Sequence, residues 1–374
     1  MLRPAGHPIE VSRLSRPVSI AFALCAALFS GSAAFAKSGQ LDQCWSASDL
    51  AYRSGDQLIH KNVAAAIVAP PPMSDVYPHS VAPAQLGAIR RVNLPAGSRK
   101  LVAITFDLCE QPHEITGYQG DLVDFLRAEH VKATFFAGGK WLLTHDERAQ
   151  QLMSDGLFEV GNHSWEHRNL RVISGPVLTR EIVAPLRAYQ KVRSELAARQ
   201  CARLGDTVPA AERAPKTMAL FRFPYGACDE KSLEAVARAG LTPIQWDVSA
   251  GDPWPRETAS LMRHGVLAHV RPGSIIIFHA NGRGWHTGEA LPDIVRELKK
   301  RGYEFATVSE LLRAGEPVIE NRCYDLKPGD TDKYDHLGRQ VAHLGAGDGA
   351  GTKKAAAPFG ASPRNAWTSH EEPR

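Results

Sequence analysis

Seven short apolar runs recur between Leu101 and Val308: Leu101–Phe106, Ala133–Ala137, Leu157–Val160, Ala219–Phe223, Pro243–Val248, Ser274–Phe278 and Tyr303–Val308. They are nearly continuous in β-branched, aliphatic and aromatic residues rather than alternating with polar ones. That is the pattern of strands buried on both faces. Between several of them lie helix-length segments with apolar residues three and four apart, such as Leu122, Phe125 and Leu126, or Ile294, Val295 and Leu298. Strands alternating with helices predict an α/β fold with a parallel sheet. A parallel sheet of seven such strands is long enough to close as a barrel.

The flanks lack this pattern. Residues 37–99 are irregular and Pro-rich, with Pro70-Pro71-Pro72 and further prolines at 78, 83 and 95, and are expected to lie as an extension across the barrel. A long helix is expected at about 179–200, interrupted near Pro185, followed by a surface insertion around 202–216. Residues 313–374 form a C-terminal extension, and from about 344 their Gly, Ala, Pro and Lys content predicts disorder. At the other end, Arg3, Arg13 and Arg16 precede an apolar run from Val18 to Phe29, and Ala34-Phe35-Ala36 fits a small-x-small cleavage site. The apolar run is about 12 residues, short of the roughly 20 that cross a bilayer. Residues 1–36 therefore read as a signal peptide, and the mature chain as exported to a periplasm or the extracellular space, without stable membrane insertion.

Composition changes this picture little. The chain has 374 residues, 44% hydrophobic and 22% charged, with net charge +4, which gives no basis for a nucleic-acid partner. No phosphate-cradling glycine loop and no G-x-S-x-G elbow is present. Five cysteines follow residue 36, namely Cys44, Cys109, Cys201, Cys228 and Cys323, which in an oxidising compartment suits two disulfides and one free thiol.

Polar residues unsuited to a core cluster where the strands end. Asp107 closes the first run. Gly161-Asn162-His163-Ser164-Trp165-Glu166-His167 follows the third, Arg222-Phe223-Pro224-Tyr225-Gly226 the fourth, Trp246 through Asp252 the fifth, and His279 the sixth. In a parallel barrel these ends converge at one mouth. His163 and His167 stand i, i+4, which on a helical turn would let both imidazoles grip one divalent ion. Asp107 is placed to act as a general base and Arg222 to hold it ionised, while His279 backed by Asp252 suits a general acid. Together they describe metal-assisted hydrolysis of an acyl bond.

In order and spacing, Thr105-Phe106-Asp107, His163 to His167, Arg222 to Gly226, Trp246 to Asp252 and Ile277-Phe278-His279 resemble the five motifs of the polysaccharide deacetylases, the NodB-homology domains of carbohydrate esterase family 4. The resemblance covers about residues 100–312 and implies a distorted parallel (β/α) barrel there. It implies a hydrolase that removes acetyl groups from the N- or O-acetylated sugars of peptidoglycan, a chitin-like oligomer or a surface glycan, with a divalent ion, expected to be zinc. On this resemblance Asp107 is the base, Arg222 orients it, and His279 is the acid tuned by Asp252. The backbone N–H of Tyr225 helps hold the oxyanion, and His163 and His167 bind the metal.

Two departures mark a variant subfamily. Where the family has a second aspartate after Asp107, this chain has Leu108, which cannot bind a metal. Glu110 is the expected third ligand, with Asp107 itself or His113 as alternatives. Pro253 stands where the family often has Trp, so Trp246 or Trp254 is expected to supply that wall. The same motif map suggests a Cys109–Cys228 bridge across the mouth, with Cys44 then paired to Cys323. A hydrolase of a non-sugar amide and a metal-poor glycan-binding pseudoenzyme, the latter motivated by Leu108, are the competing functions.

Overall fold

The computed structural model describes residue 41 and residues 44–72, 86–201 and 214–336. The expected signal peptide, the tail from 344, prolines 78 and 83 and most of the 202–216 insertion lie outside the described residues. In chain order the strands are β1 His60–Lys61, β2 Ala88–Asn93, β3 Lys100–Leu108, β4 Glu114–Ile115, β5 Ala133–Ala137 and β6 Phe158–Asn162. They continue with β7 Leu220–Phe221, β8 Thr242–Pro243, β9 Val248–Ser249, β10 Ile275–His279, β11 Tyr303–Phe305 and β12 Glu316–Glu320.

The main sheet is parallel throughout, in the order β8-β7-β6-β5-β3-β10-β9, with β11 beside the first residues of β3. The run expected as one strand over 243–248 is split in two. The amide of Ile244 still donates to Phe221 of β7, that of Gln245 turns aside to Ile89 of β2, and that of Asp247 reaches Ile275 of β10. One passage of chain thus bonds to both edges of the ladder and brings the sheet round on itself, with β2 wedged at the split through the Ile89–Ile244 bridge. This is the distorted barrel that the resemblance implies, built on the parallel sheet that the seven apolar runs predict.

Burial on both faces explains the composition of the central strands. Ile275, Ile276, Ile277 and Phe278 are all buried, as are all five residues of β5. Phe106, Phe135 and Phe278 stand level on adjacent strands, and the Phe106 ring stacks on the other two at 5.2 and 5.7 Å. The helix Thr287–Lys300 buries Ala290, Leu291, Ile294, Val295 and Leu298, the three-and-four spacing that covers a sheet. The long helix runs Gly175–Ala198 with Pro185 inside it, starting four residues before the expected position and without the expected interruption.

The extensions are more ordered than their composition suggested. β2 pairs antiparallel with β12, and β1 with β4. After β12, Arg90 lies over the Tyr324 ring at 3.7 Å and donates to the carbonyls of Tyr324 and Asp325. Arg171 pairs with Asp335 at 2.7 Å. Residues 321–336 are therefore strapped from one side of the mouth to the other.

The disulfides differ from both expected pairs. Cys44 joins Cys201, Cys228 joins Cys323, and Cys109 is a buried free thiol. The Cys228–Cys323 bond fastens the strap to the loop after Tyr225. Motif adjacency pointed Cys109 at Cys228 because both sit on mouth loops, but the partner Cys228 takes comes from the C-terminal extension.

Candidate active site

Strand register sets the level of the site. His279 is the direct cross-strand partner of Asp107, and Asn162, which precedes His163, partners Ala137 on one side and Phe221 on the other. Arg222 follows Phe221, and its amide donates to Asn162. Asp107, His163, Arg222 and His279 thus arrive in one layer at the C-terminal end of the parallel strands, where such barrels place their chemistry.

Asp107 and Arg222 are both buried, and the guanidinium donates to Oδ1 at 2.8 Å. The same Nη1 donates to Thr105, and the guanidinium lies 4.0 Å over the Phe136 ring. Burial by itself would raise the Asp107 carboxyl. The charges of His163, Arg222 and His279 outweigh it and hold that carboxyl below its usual range.

On the other side of the mouth, Asp252 accepts from His279 Nδ1 at 2.9 Å, from its backbone amide and from Thr287 Oγ1 at 2.7 Å. Burial pushes the His279 imidazole down, but Asp252 and then Asp107 more than offset this and leave it above the ordinary histidine range. Nδ1 being committed to the carboxylate, Nε2 is the nitrogen left for a substrate.

The two motif histidines do sit together, with ring centroids 5.0 Å apart, but not on a helix. β6 ends at Asn162, and the loop that follows puts Ser164 and His167 in the left-handed region, at φ 65° and 58°. Asn162 Oδ1 accepts from the Ser164 amide and Ser164 Oγ from the His167 amide, which holds this uncommon backbone in place. His163 Nδ1 lies 2.9 Å from the Arg222 carbonyl, which can only accept, so that nitrogen carries the proton. Its buried Nε2 has no hydrogen-bond partner, and neither has Nδ1 of His167. Both imidazoles are driven below their ordinary pKa by burial. Two adjacent imidazoles with unsatisfied nitrogens are a donor set that fits a divalent cation.

Glu110 is not with them. It is wholly buried, its Oε1 accepts from the Thr116 amide and the Thr144 hydroxyl, and burial raises its carboxyl to about 7. It lies two residues past the end of β3, with its Oε1 directed to Thr116 and Thr144. Leu108 is buried in the hydrophobic core. The third group brought to the histidines is Cys109: its Sγ and one nitrogen from each of His163 and His167 all lie within 4.8 Å of one another.

Tyr225 occupies a left-handed turn at φ 61°, edge-on to the His167 ring at 4.4 Å and stacked on Tyr334 at 5.0 Å. Around these groups opens a cavity of about 470 Å³, lined by Asp107, Cys109, His167, Tyr225, Asp252 and His279 among others. Trp246 and Trp254, the two candidates for the wall beside Pro253, both line it, together with Trp285. Ile59 and Lys61 come from the N-terminal extension, and Asp325, Asp330, Thr331, Lys333 and Tyr334 from the strap. Sequence reasoning missed these outer walls. The signal that could have found them is the run of tyrosines, aspartates and lysine from Tyr324 to Tyr334 directly after Cys323, unusual for a loose tail.

This is a parallel α/β barrel whose mouth carries two carboxylate-backed polar pairs beside free imidazole nitrogens. Residues 95–244 match the polysaccharide deacetylase family model. Over 216 residues it is 31% identical to a peptidoglycan-N-acetylglucosamine deacetylase of Listeria monocytogenes, covering 58% of this chain but only 40% of that longer protein. It is also 27% identical over 241 residues to a chitooligosaccharide deacetylase of Bradyrhizobium sp., covering 60% of this chain and 97% of that one. Among solved structures, a CE4 family pseudoenzyme from Bacillus anthracis superposes with a TM-score of 0.49 at 22% identity, covering 64% of this chain and 74% of that one.

Proposed function

We propose that this chain is an exported, metal-dependent deacetylase of acetylated glycans, with zinc as its ion. The observation that carries the reading is the convergence of the Asp107–Arg222 and Asp252–His279 pairs on hydrogen-bond-free nitrogens of His163 and His167, beside an aromatic-walled cavity that Asp107, His167, Asp252 and His279 line. Two disulfides among the described residues suit an oxidising compartment, and no helix among them is long and apolar enough to cross a membrane. The cavity volume falls within the range of about 300–1,000 Å³ typical of small-ligand sites, and tryptophan faces give a sugar ring apolar surfaces to lie on.

The residues divide the work. His163 and His167 would hold a divalent ion, which when bound would supply Lewis-acid polarisation of the acetyl carbonyl. Asp107, kept ionised by its neighbours, takes a proton from the attacking water. The Tyr225 backbone amide donates to the developing oxyanion. His279 delivers a proton from Nε2 to the departing sugar nitrogen or oxygen, while Asp252 steadies the imidazolium.

Acetate release tests this directly. The expected result is release from N-acetylglucosamine oligomers or peptidoglycan, lost on treatment with a chelator and restored by zinc. No acetate from any N- or O-acetylated glycan in a panel, with zinc bound, would sink the proposal. A pH profile tests the acid: since Asp252 is the main group raising His279, the alkaline limb of kcat/KM in Asp252→Asn should move to lower pH. An unmoved limb would remove His279 from that role.

A further inference from the structure

We propose that the metal is held by a thiolate and two imidazoles, Cys109 with His163 and His167, in place of the carboxylate that Leu108 displaces. This deepens the deacetylase reading of the same site and rests on it for the presence of a metal.

Strand geometry brings the sulfur there. Cys109 directly follows β3, and carrying the strand's alternation one residue on puts position 109 on the side of Asp107, while Leu108 faces the core. Asp107 and Cys109 line the cavity and Leu108 does not. Glu110, the expected oxygen ligand, does not line that cavity, and its Oε1 accepts from Thr116 and Thr144.

Three further observations point to a cation. First, the sulfur and the two histidine nitrogens lie within 4.8 Å of one another, close enough to contract onto one ion with bonds of about 2.0–2.3 Å. Second, His163 Nδ1 donates to the Arg222 carbonyl, while its buried Nε2 makes no hydrogen bond. That nitrogen stands 3.3 Å from Asp107 Oδ2, a pair that calls for a positive charge between them, which a bound cation would supply. Third, Cys109 is steadied as ligands usually are: Asn281 Nδ2 donates to its sulfur at 3.3 Å and to its carbonyl at 2.9 Å, and Thr116 Oγ1 donates to the same carbonyl. Disulfide formation is not its role, since the other cysteines of the described residues pair among themselves.

A sulfur and two nitrogens select zinc or cobalt over magnesium and calcium, and leave one tetrahedral position open for substrate. On binding, the S–H bond of Cys109 breaks, the sulfur keeps the electron pair for the metal, and the proton passes to solvent.

The test is spectroscopic and uses the full chain loaded with cobalt(II). The expected result is a sulfur-to-cobalt charge-transfer band in the near ultraviolet, absent in Cys109→Ser and retained in Glu110→Gln. Zinc affinity in Cys109→Ser should fall by at least the about 10–100-fold that losing an outer supporting partner costs. Should Cys109→Ser fold poorly by circular dichroism, Cys109→Asp supplies a carboxylate at the same place and must bind cobalt without the band. Stoichiometric cobalt without the band, a band that survives in Cys109→Ser, or no binding of either ion overturns the proposal. Acetate release is not involved, so a band in a protein that deacetylates nothing would defeat the functional reading and leave the ligand set standing.

Discussion

Replacing Asp107 by Asn is expected to lower kcat/KM for acetate release by about 10²–10⁴-fold, the span usually lost with a general base. The substitution keeps the contacts of the side chain and removes only its basicity. An Asn Oδ1 can still accept from Arg222 Nη1, which lies 2.8 Å from that atom, so the buried guanidinium is not orphaned. What disappears is a group able to take a proton from water. In the native protein this carboxyl is held below its usual range, so it is ready as a base at neutral pH. Circular dichroism and the cobalt spectrum of the variant should show a folded, metal-loaded protein, which separates lost chemistry from lost structure. Activity within tenfold of the native protein would mean that another group takes the proton.

How far such a site could be read from the chain differs residue by residue. Ile275–His279 was legible because a strand buried on both faces is written as an unbroken apolar run, and a histidine ending it stands out. The Asp107–Arg222 and Asp252–His279 pairs were legible because each residue ends or closely follows a strand, and a parallel sheet carries all such ends to one mouth. The His163–His167 spacing gave the right neighbours for the wrong reason. Four residues apart suggests a helical turn, yet the loop achieves the contact with two left-handed residues braced by Asn162 and Ser164. Glu110 was misplaced because its chemistry was weighed and its place past the end of β3, with Oε1 directed to Thr116 and Thr144, was not.

The extensions were hardest to read, and the physical reason is plain. Tyr334, Lys333 and Lys61 reach the cavity through an antiparallel pair of extension strands, a disulfide, and hydrogen bonds from Arg90 and Arg171. None of these leaves a periodic trace in the residues it holds. The barrel is encoded by local pattern, whereas the walls of its mouth are encoded by contacts between distant segments.

The second large effect concerns stability. Arg222→Met, in protein stripped of metal, should cost about 3–5 kcal/mol at neutral pH, measured as a fall in the urea midpoint. The substitution removes the partner that touches Asp107 at 2.8 Å and leaves the carboxylate buried, with the neighbouring imidazoles as its remaining cationic help. Burial, the largest influence on that carboxyl, then acts with less opposition and raises it. The pH dependence follows from the sign. In the native protein the carboxyl is lower than in the unfolded chain, so its contribution is present above the unfolded pKa and lost as pH falls through the folded one. In the variant the folded carboxyl lies higher, so acid restores stability by protonating it. The gap between the two proteins should therefore be widest near neutrality and narrow toward pH 4. Adding Asp107→Leu to Arg222→Met should recover most of the loss, because no buried charge is then left unpaired. A gap that is flat with pH, or a double variant no more stable than the single one, would show that Arg222 acts through its packing on Phe136 and Trp246 rather than through its charge.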